Sequence, residues 1–315
     1  MDHIGGALEA RAGRGPGKGR VDQAGSADMK AAPCPNSPER GSADPLTALR
    51  SRELDGPAPA RCSLLTGERC ERISALRRHV FHTGFWGLSG FMAFVCAGLG
   101  LLPGRRPIVG GLWLYTRAIT GWMRVCGVRL EVRGLEHLRG TGPAVVASKH
   151  QSYGDAICLV SRHADLGYVI GDHLHRFPLI GFILEQAEAV VIDTGSGKGE
   201  NGALNKSLER LRAAERDVLI FPEGHLARVD EKHRYRLGAW KLARELDRPV
   251  VPVATNLGLF WPRQEWELNP GRAVIEILPP IPPGEDGRAF TRALEAAIET
   301  RTAALLAEGR AERPA

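Results

Sequence analysis

Residues 143–155 read Pro-Ala-Val-Val-Ala-Ser-Lys-His-Gln-Ser-Tyr-Gly-Asp, an apolar run that stops at a basic and a titratable side chain. Residues 144–148 have the length and composition of a strand buried on both faces. Parallel strands covered by helices read as continuous apolar runs, not as alternation. The apolar spacing over 156–163 then predicts a helix. A strand that ends in a short loop opening into a helix is where α/β proteins present reactive groups. His150 stands at the carboxyl end of that strand. Asp155, on the first helical turn, folds back onto one imidazole nitrogen. Such a contact sets the tautomer and favours the imidazolium, which makes the other nitrogen a competent general base. The same two residues also read as a helix N-cap beside an ordinary loop histidine.

Outward from this block the pattern repeats. Further strands are expected at 129–132, 168–170, 189–192, 218–221, 250–254 and 273–278, with helices at 179–186, 201–215, 239–246 and 288–306. Alternating strands and helices with continuous Val/Ile runs predict an α/β sheet flanked by helices. Phe221-Pro222-Glu223-Gly224 ends the 218–221 strand and places a carboxylate and a permissive glycine at a second strand end. A turn glycine after a solvated acid is the plainer reading of the same residues. Pro252, inside the apolar run Val251-Pro252-Val253-Ala254, predicts an edge strand or a bulge, because proline lacks the ladder's donor.

Upstream, residues 85–102 (FWGLSGFMAFVCAGLGLL) form an apolar run at the lower limit for crossing a bilayer. Arginines flank it on both sides, Arg77 and Arg78 before and Arg105 and Arg106 after, so charge gives no orientation. Residues 110–128 mix Trp113, Tyr115 and Trp122 with Arg117 and Arg124, the composition of an interfacial amphipathic helix. Together they predict a membrane-associated section over 68–127, ahead of a catalytic domain over 128–315. Residues 1–67 are rich in Gly, Pro, Ala, Arg and Ser and are expected to form a disordered tail, since they carry too little apolar surface to offset ordering entropy. A start codon assigned upstream of the true one accounts for them equally well.

Composition narrows the partners only a little. The 315 residues carry 42 Lys+Arg against 36 Asp+Glu, and the resulting net charge of +6 suits an anionic membrane or a phosphorylated substrate. The mixed charges of the tail argue against a dedicated nucleic-acid arm. Six cysteines, at 34, 62, 70, 96, 126 and 158, show no metal-ligand spacing and read as reduced thiols.

His150-x4-Asp155, then Phe221-Pro222-Glu223-Gly224, then Val251-Pro252-Val253-Ala254 resemble, in order and spacing, the first, third and fourth motifs of the glycerolipid acyltransferase family, which includes the 1-acylglycerol-3-phosphate acyltransferases. The resemblance runs from about Phe81 to the C-terminus. It implies a mixed sheet flanked by helices, preceded by a hydrophobic two-helix membrane motif at the cytoplasmic face of the inner membrane. It also implies acyl transfer from acyl-CoA or acyl carrier protein to a lysophospholipid hydroxyl, with His150 and Asp155 catalytic and with neither metal nor organic cofactor. Glu223, Gly224 and Pro252 belong to the motifs expected to hold the acceptor.

Two departures bear on that acceptor. The family's third motif usually continues Thr-Arg, where this chain has His225-Leu226, and its second motif usually ends in arginine, where this chain has Asp193-Thr194. Those arginines suit an acceptor phosphate, so Lys149, Arg228, Arg234, Arg236 and Lys241 become substitute candidates. An acceptor without a terminal phosphate, such as a lyso-ornithine lipid, gains weight for the same reason. A non-catalytic membrane adaptor is a further alternative. So is a metal hydrolase built on His150, Asp155, His163, His173, His175 and His225.

Overall fold

The prolines that crowd the start of the chain end at Pro59, and the next is Pro103. Between them nothing interrupts a helix. The computed structural model, which describes residues 60–312 apart from 165, 172–177, 193–207, 214 and 264–265, shows α1 over Ala60–Gly100. Of the tail expected at 1–67, residues 1–59 lie outside the described residues, and α1 already runs through the remainder. That expectation overlooked how far a proline-free run extends a helix backwards.

α1 turns into α2 (Arg106–Val125), whose Pro107 fits the first turn because that turn needs no donor there. Phe81, Phe85, Met92 and Cys96 are buried along one side of α1, and Trp86, Phe91 and Phe94 stand exposed along another. Ser74–Gly100 is the one described helical stretch long and apolar enough to cross a membrane, and only 28% of its most apolar window is buried inside the fold. α2 buries Ile108, Gly111, Thr116, Ile119 and Met123 and leaves Trp113 and Leu114 exposed. The second helix is thus amphipathic, as its composition predicts.

The expected strands all form: β1 (Val128–Arg133), β2 (Val145–Ser148), β3 (Leu166–Gly171), β4 (Val190–Ile192), β5 (Asp217–Ile220), β6 (Val250–Thr255) and β7 (Gly271–Ile277). They make one seven-stranded mixed sheet in the order β1-β7-β6-β2-β5-β3-β4, in which the β6–β7 pair is antiparallel and the other neighbours are parallel. Between the strands lie α3 (Glu136–Arg139), α4 (Gly154–Val160), α5 (Pro178–Gln186), α6 (208–213) and α7 (Gly238–Leu246), and α8 (Gly287–Ala311) follows β7. α8 starts at Asp286, whose carboxylate caps the N–H groups of Arg288 and Ala289.

Alternation along the strands splits the core in two. Val146, Leu219, Val251 and Val253 pack with residues of α1, α2 and α4, whereas Val145, Ala147, Val218, Ile220 and Val250 pack with α7 and α8. Phe81 and Phe85 both meet Trp261 edge-on at 5.0 Å, which ties α1 to the segment after β6. Such aromatic pairs add roughly 0.5–1.5 kcal/mol each beyond the area they bury.

Pro252 was expected to mark an edge strand or a bulge, and the structure shows which. β6 lies inside the sheet between β7 and β2, so the proline is not on an edge. Its carbonyl accepts Leu278 N–H at 2.9 Å, and its missing donor faces the same way, toward Pro279 and Pro280. Between the pairs Val250↔Ile281 and Val253↔Ile277 the β7 side carries one residue more than β6. The ladder is interrupted there as at a bulge, so no donor is required of position 252.

Candidate active site

β2 and β5 are parallel neighbours, and the loops at their carboxyl ends meet. His150 follows β2. Its Nδ1 lies 3.1 Å from Asp155 Oδ2, the same oxygen that accepts the N–H groups of Gln151 at 2.7 Å and Ser152 at 2.8 Å. A carboxylate only accepts, so the neutral imidazole carries its proton on Nδ1 and leaves Nε2 as the basic nitrogen. Asp155 is buried, and the N–H groups that it takes precede α4, whose N-cap Tyr153 makes no side-chain cap bond. Asp155 therefore orients His150 and does not serve as a cap. The imidazole stacks on Phe221, centroid to centroid at 3.8 Å, and the His150 side chain stays 21% exposed. One face of the ring is fixed while its edge still reaches solvent. Gly154 is needed beside it, because a Cβ there would lie 2.5 Å from the Trp261 ring.

Glu223 follows β5 and turns inward. Its Oε1 accepts the backbone N–H of His150 at 3.2 Å, and its Oε2 accepts Lys149 Nζ at 3.0 Å. Lys149 and Glu223 are 1% and 0% exposed. Burial pushes the Glu223 carboxyl up, against the pull of the Lys149 ammonium. Both residues were expected at the acceptor, and the structure turns both inward. Their charged atoms are engaged by each other, by Glu299 and by the His150 backbone. Pro252 is likewise buried, in β6 opposite Ala147.

Past Glu223 the chain returns to the surface. Gly224 is exposed with φ +75°, and a Cβ there would stand 3.0 Å from Cζ of Arg236. Glycine thus permits the left-handed turn and lets the guanidinium lie against the backbone. Arg236 is exposed, and its N–H donates to Pro222 O at 2.9 Å. Leu226, which occupies the place of the family's arginine, is buried, but its carbonyl accepts Nη1 of Arg263. The His225 ring lies 4.1 Å from that of His233. Burial, followed by the charges of His233, Arg236 and Arg263, lowers the His225 pKa. Arg263 went unnoticed in the sequence, because nothing in the chain links position 263 to 226.

The remaining candidates are scattered. Arg228 is exposed on the same loop, just after Ala227, whose N–H donates to His150 O at 2.9 Å. Arg234 and Lys241 are exposed, and Thr194 lies outside the described residues. His163 sits where β5 begins, 2.6 Å from Asp217, and not with His150. Among the described residues no three His, Cys, Asp or Glu side chains gather as a metal site, and His173 and His175 lie outside those residues. Cys96, Cys126 and Cys158 are buried free thiols.

Comparison with known proteins agrees with this geometry. The Acyltransferase family model matches residues 129–256, which hold His150, Asp155, Glu223 and Gly224. A 1-acyl-sn-glycerol-3-phosphate acyltransferase of Pseudomonas aeruginosa is 31% identical over 249 residues, 76% of this chain and 92% of the relative. The mouse 1-acyl-sn-glycerol-3-phosphate acyltransferase alpha is 27% identical over 158 residues, 49% of this chain and 55% of the relative. The crystal structure of the 1-acyl-sn-glycerophosphate acyltransferase PlsC from Thermotoga maritima superposes with a TM-score of 0.58 at 19% identity, over 74% of this chain and 95% of that one, and so shares the fold. By its likeness to these relatives, this chain is an O-acyltransferase and belongs to the family of the 1-acyl-sn-glycerol-3-phosphate acyltransferases.

Proposed function

We propose that this acyltransferase moves a fatty acyl group from acyl-CoA or acyl carrier protein to the free hydroxyl of 1-acylglycerol-3-phosphate, yielding phosphatidic acid at the cytoplasmic face of the inner membrane. His150 Nε2 takes the hydroxyl proton as the oxygen attacks the thioester carbonyl. Collapse of the tetrahedral intermediate breaks the C–S bond, and the thiolate leaves with the proton held by the imidazolium. Asp155 stabilises that imidazolium and keeps Nε2 aimed outward. The step balances without an acyl-enzyme, a metal or an organic cofactor.

The observation that favours a phosphate-bearing acceptor is the clustering of Arg236, Arg263 and His225 around residues 224–226. Those residues run on from Glu223, which holds the His150 amide. Guanidinium groups match phosphate geometry with paired donors. An ornithine-type headgroup carries an ammonium beside its single carboxylate, and a cluster of cations repels that ammonium. The test is a panel of lysolipids offered with labelled acyl-CoA or acyl carrier protein in anionic vesicles, scored by mass spectrometry. Labelled phosphatidic acid is expected, and acylation confined to phosphate-free lysolipids would overturn the assignment.

A further inference from the structure

Lys149 Nζ is held from two sides, by Glu223 Oε2 at 3.0 Å and by Glu299 Oε1 at 2.7 Å. Glu299 stands on α8, outside every motif of the sequence, with its side chain 15% exposed. The same Oε1 accepts the phenol of Tyr235 at 2.9 Å. Burial, then the charges of Glu299 and Glu223, push the Tyr235 phenol far up, so it remains a donor at any working pH. Two carboxylates and an ammonium withdrawn from water carry a desolvation penalty that their attraction does not always recover, and apolar replacements of buried charged sets are often neutral or stabilising. Stability alone therefore gives no reason for this arrangement. What it touches does. Glu223 grips the His150 amide, while Tyr235 immediately precedes the arginine that lies over Gly224.

We infer that Glu299 is a positioning residue for acyl transfer: through Lys149 and Glu223 it sets the backbone of the base, and through Tyr235 it sets the segment carrying Arg236. The stretch between Gly224 and Leu237 has neither helix nor strand, so its geometry depends on such ties. α8 supplies a second one from Arg310 to Asp230 at 2.6 Å. α8 itself is held by a stripe of buried side chains, Phe290, Leu294, Ile298, Thr302 and Leu305, at helical spacing. A rigid helix thus locates, with one oxygen, both the base and the arginine proposed to take the acceptor's phosphate. The inference rests on the proposed acyl transfer for its kinetic part only.

The experiment compares Glu299→Gln, Glu299→Leu and Tyr235→Phe in the full chain, by steady-state kinetics and by hydrogen exchange of the peptide over 145–156. Glutamine keeps an oxygen for both donors, whereas leucine fills similar space without one. Glu299→Leu is expected to lower kcat by about ten- to a hundredfold, the size of effect that misplaced catalytic groups produce. Glu299→Gln should restore most of that loss. Tyr235→Phe should raise the acceptor KM while holding kcat within about twofold, as loss of binding alone does. Exchange over 145–156 should accelerate in Glu299→Leu while β1 and β7 are unchanged, a readout that needs no turnover and survives an error in the substrate. Equal behaviour of the leucine and glutamine variants, or exchange accelerating throughout the sheet, would reduce Glu299 to a packing role. Should the leucine variant fail to fold, unchanged acceptor KM in Tyr235→Phe overturns the proposal.

Discussion

Glu223 holds His150 by its backbone and not by its ring: the carboxylate accepts the His150 N–H at 3.2 Å, and the imidazole is left to Asp155 at 3.1 Å. His150 is thereby fixed by two carboxylates, one setting where the residue stands and the other where its ring points. Both acids are buried, so neither is diverted by water.

Removing the base should remove the chemistry and spare the fold. His150→Ala is expected to cut acyl transfer by roughly 10²–10⁴, the usual worth of a general base, and Asp155→Asn should fall in the same direction. The measure is kcat with saturating acceptor, alongside circular dichroism. Wild-type turnover in His150→Ala would refute the mechanism.

Lys149 is a structural cation, with consequences for stability. Lys149→Met strands Glu223 and Glu299 facing each other without their shared partner. Leaving buried charge uncompensated costs about 3–5 kcal/mol, so the denaturation midpoint should drop sharply. A midpoint equal to wild type would mean that the carboxylates find another partner or a proton.

Acceptor binding should depend on the two guanidinium groups around residues 224–226. Arg236→Ala and Arg263→Ala each remove a charge-assisted contact worth roughly 1.5–3 kcal/mol, hence a rise in lysophosphatidate KM of about ten- to a hundredfold. A phosphate-free lysolipid should show no such rise. Indifference of the lysophosphatidate KM to both changes, singly and together, would remove these residues from the pocket.

Gly224 makes a stricter test of the same pocket. Gly224→Ala imposes a left-handed residue costing about 1–2 kcal/mol and sets a methyl against Arg236. The acceptor KM should rise more than stability alone would suggest. An unaltered KM would show that Arg236 does not work from its place beside Gly224.

Membrane attachment should lie on the outer side of α1. Trp86, Phe91 and Phe94 are exposed by 62%, 65% and 72%. Changing all three to serine forfeits roughly 1.5–3 kcal/mol of apolar burial per side chain, which should abolish flotation with vesicles. Unchanged flotation would place the contact elsewhere.

Much was legible in the linear chain. Strand and helix alternate in its apolar runs, because burial on one or both faces writes a period into the residues, and all seven strands followed from it. His150 and Asp155 were legible too, since four intervening residues at a strand-to-helix turn bring them together locally. Tertiary structure alone decided which charges face inward. Lys149 and Glu223 read like pocket residues from their neighbours, yet burial of a single charge depends on partners at other heights in the sequence, here Glu299 on α8. Arg263 likewise reaches Leu226 from beyond β6. Contacts of that span leave no periodic trace, for they are set by sheet order and by the packing of α8, not by the identity of adjacent residues.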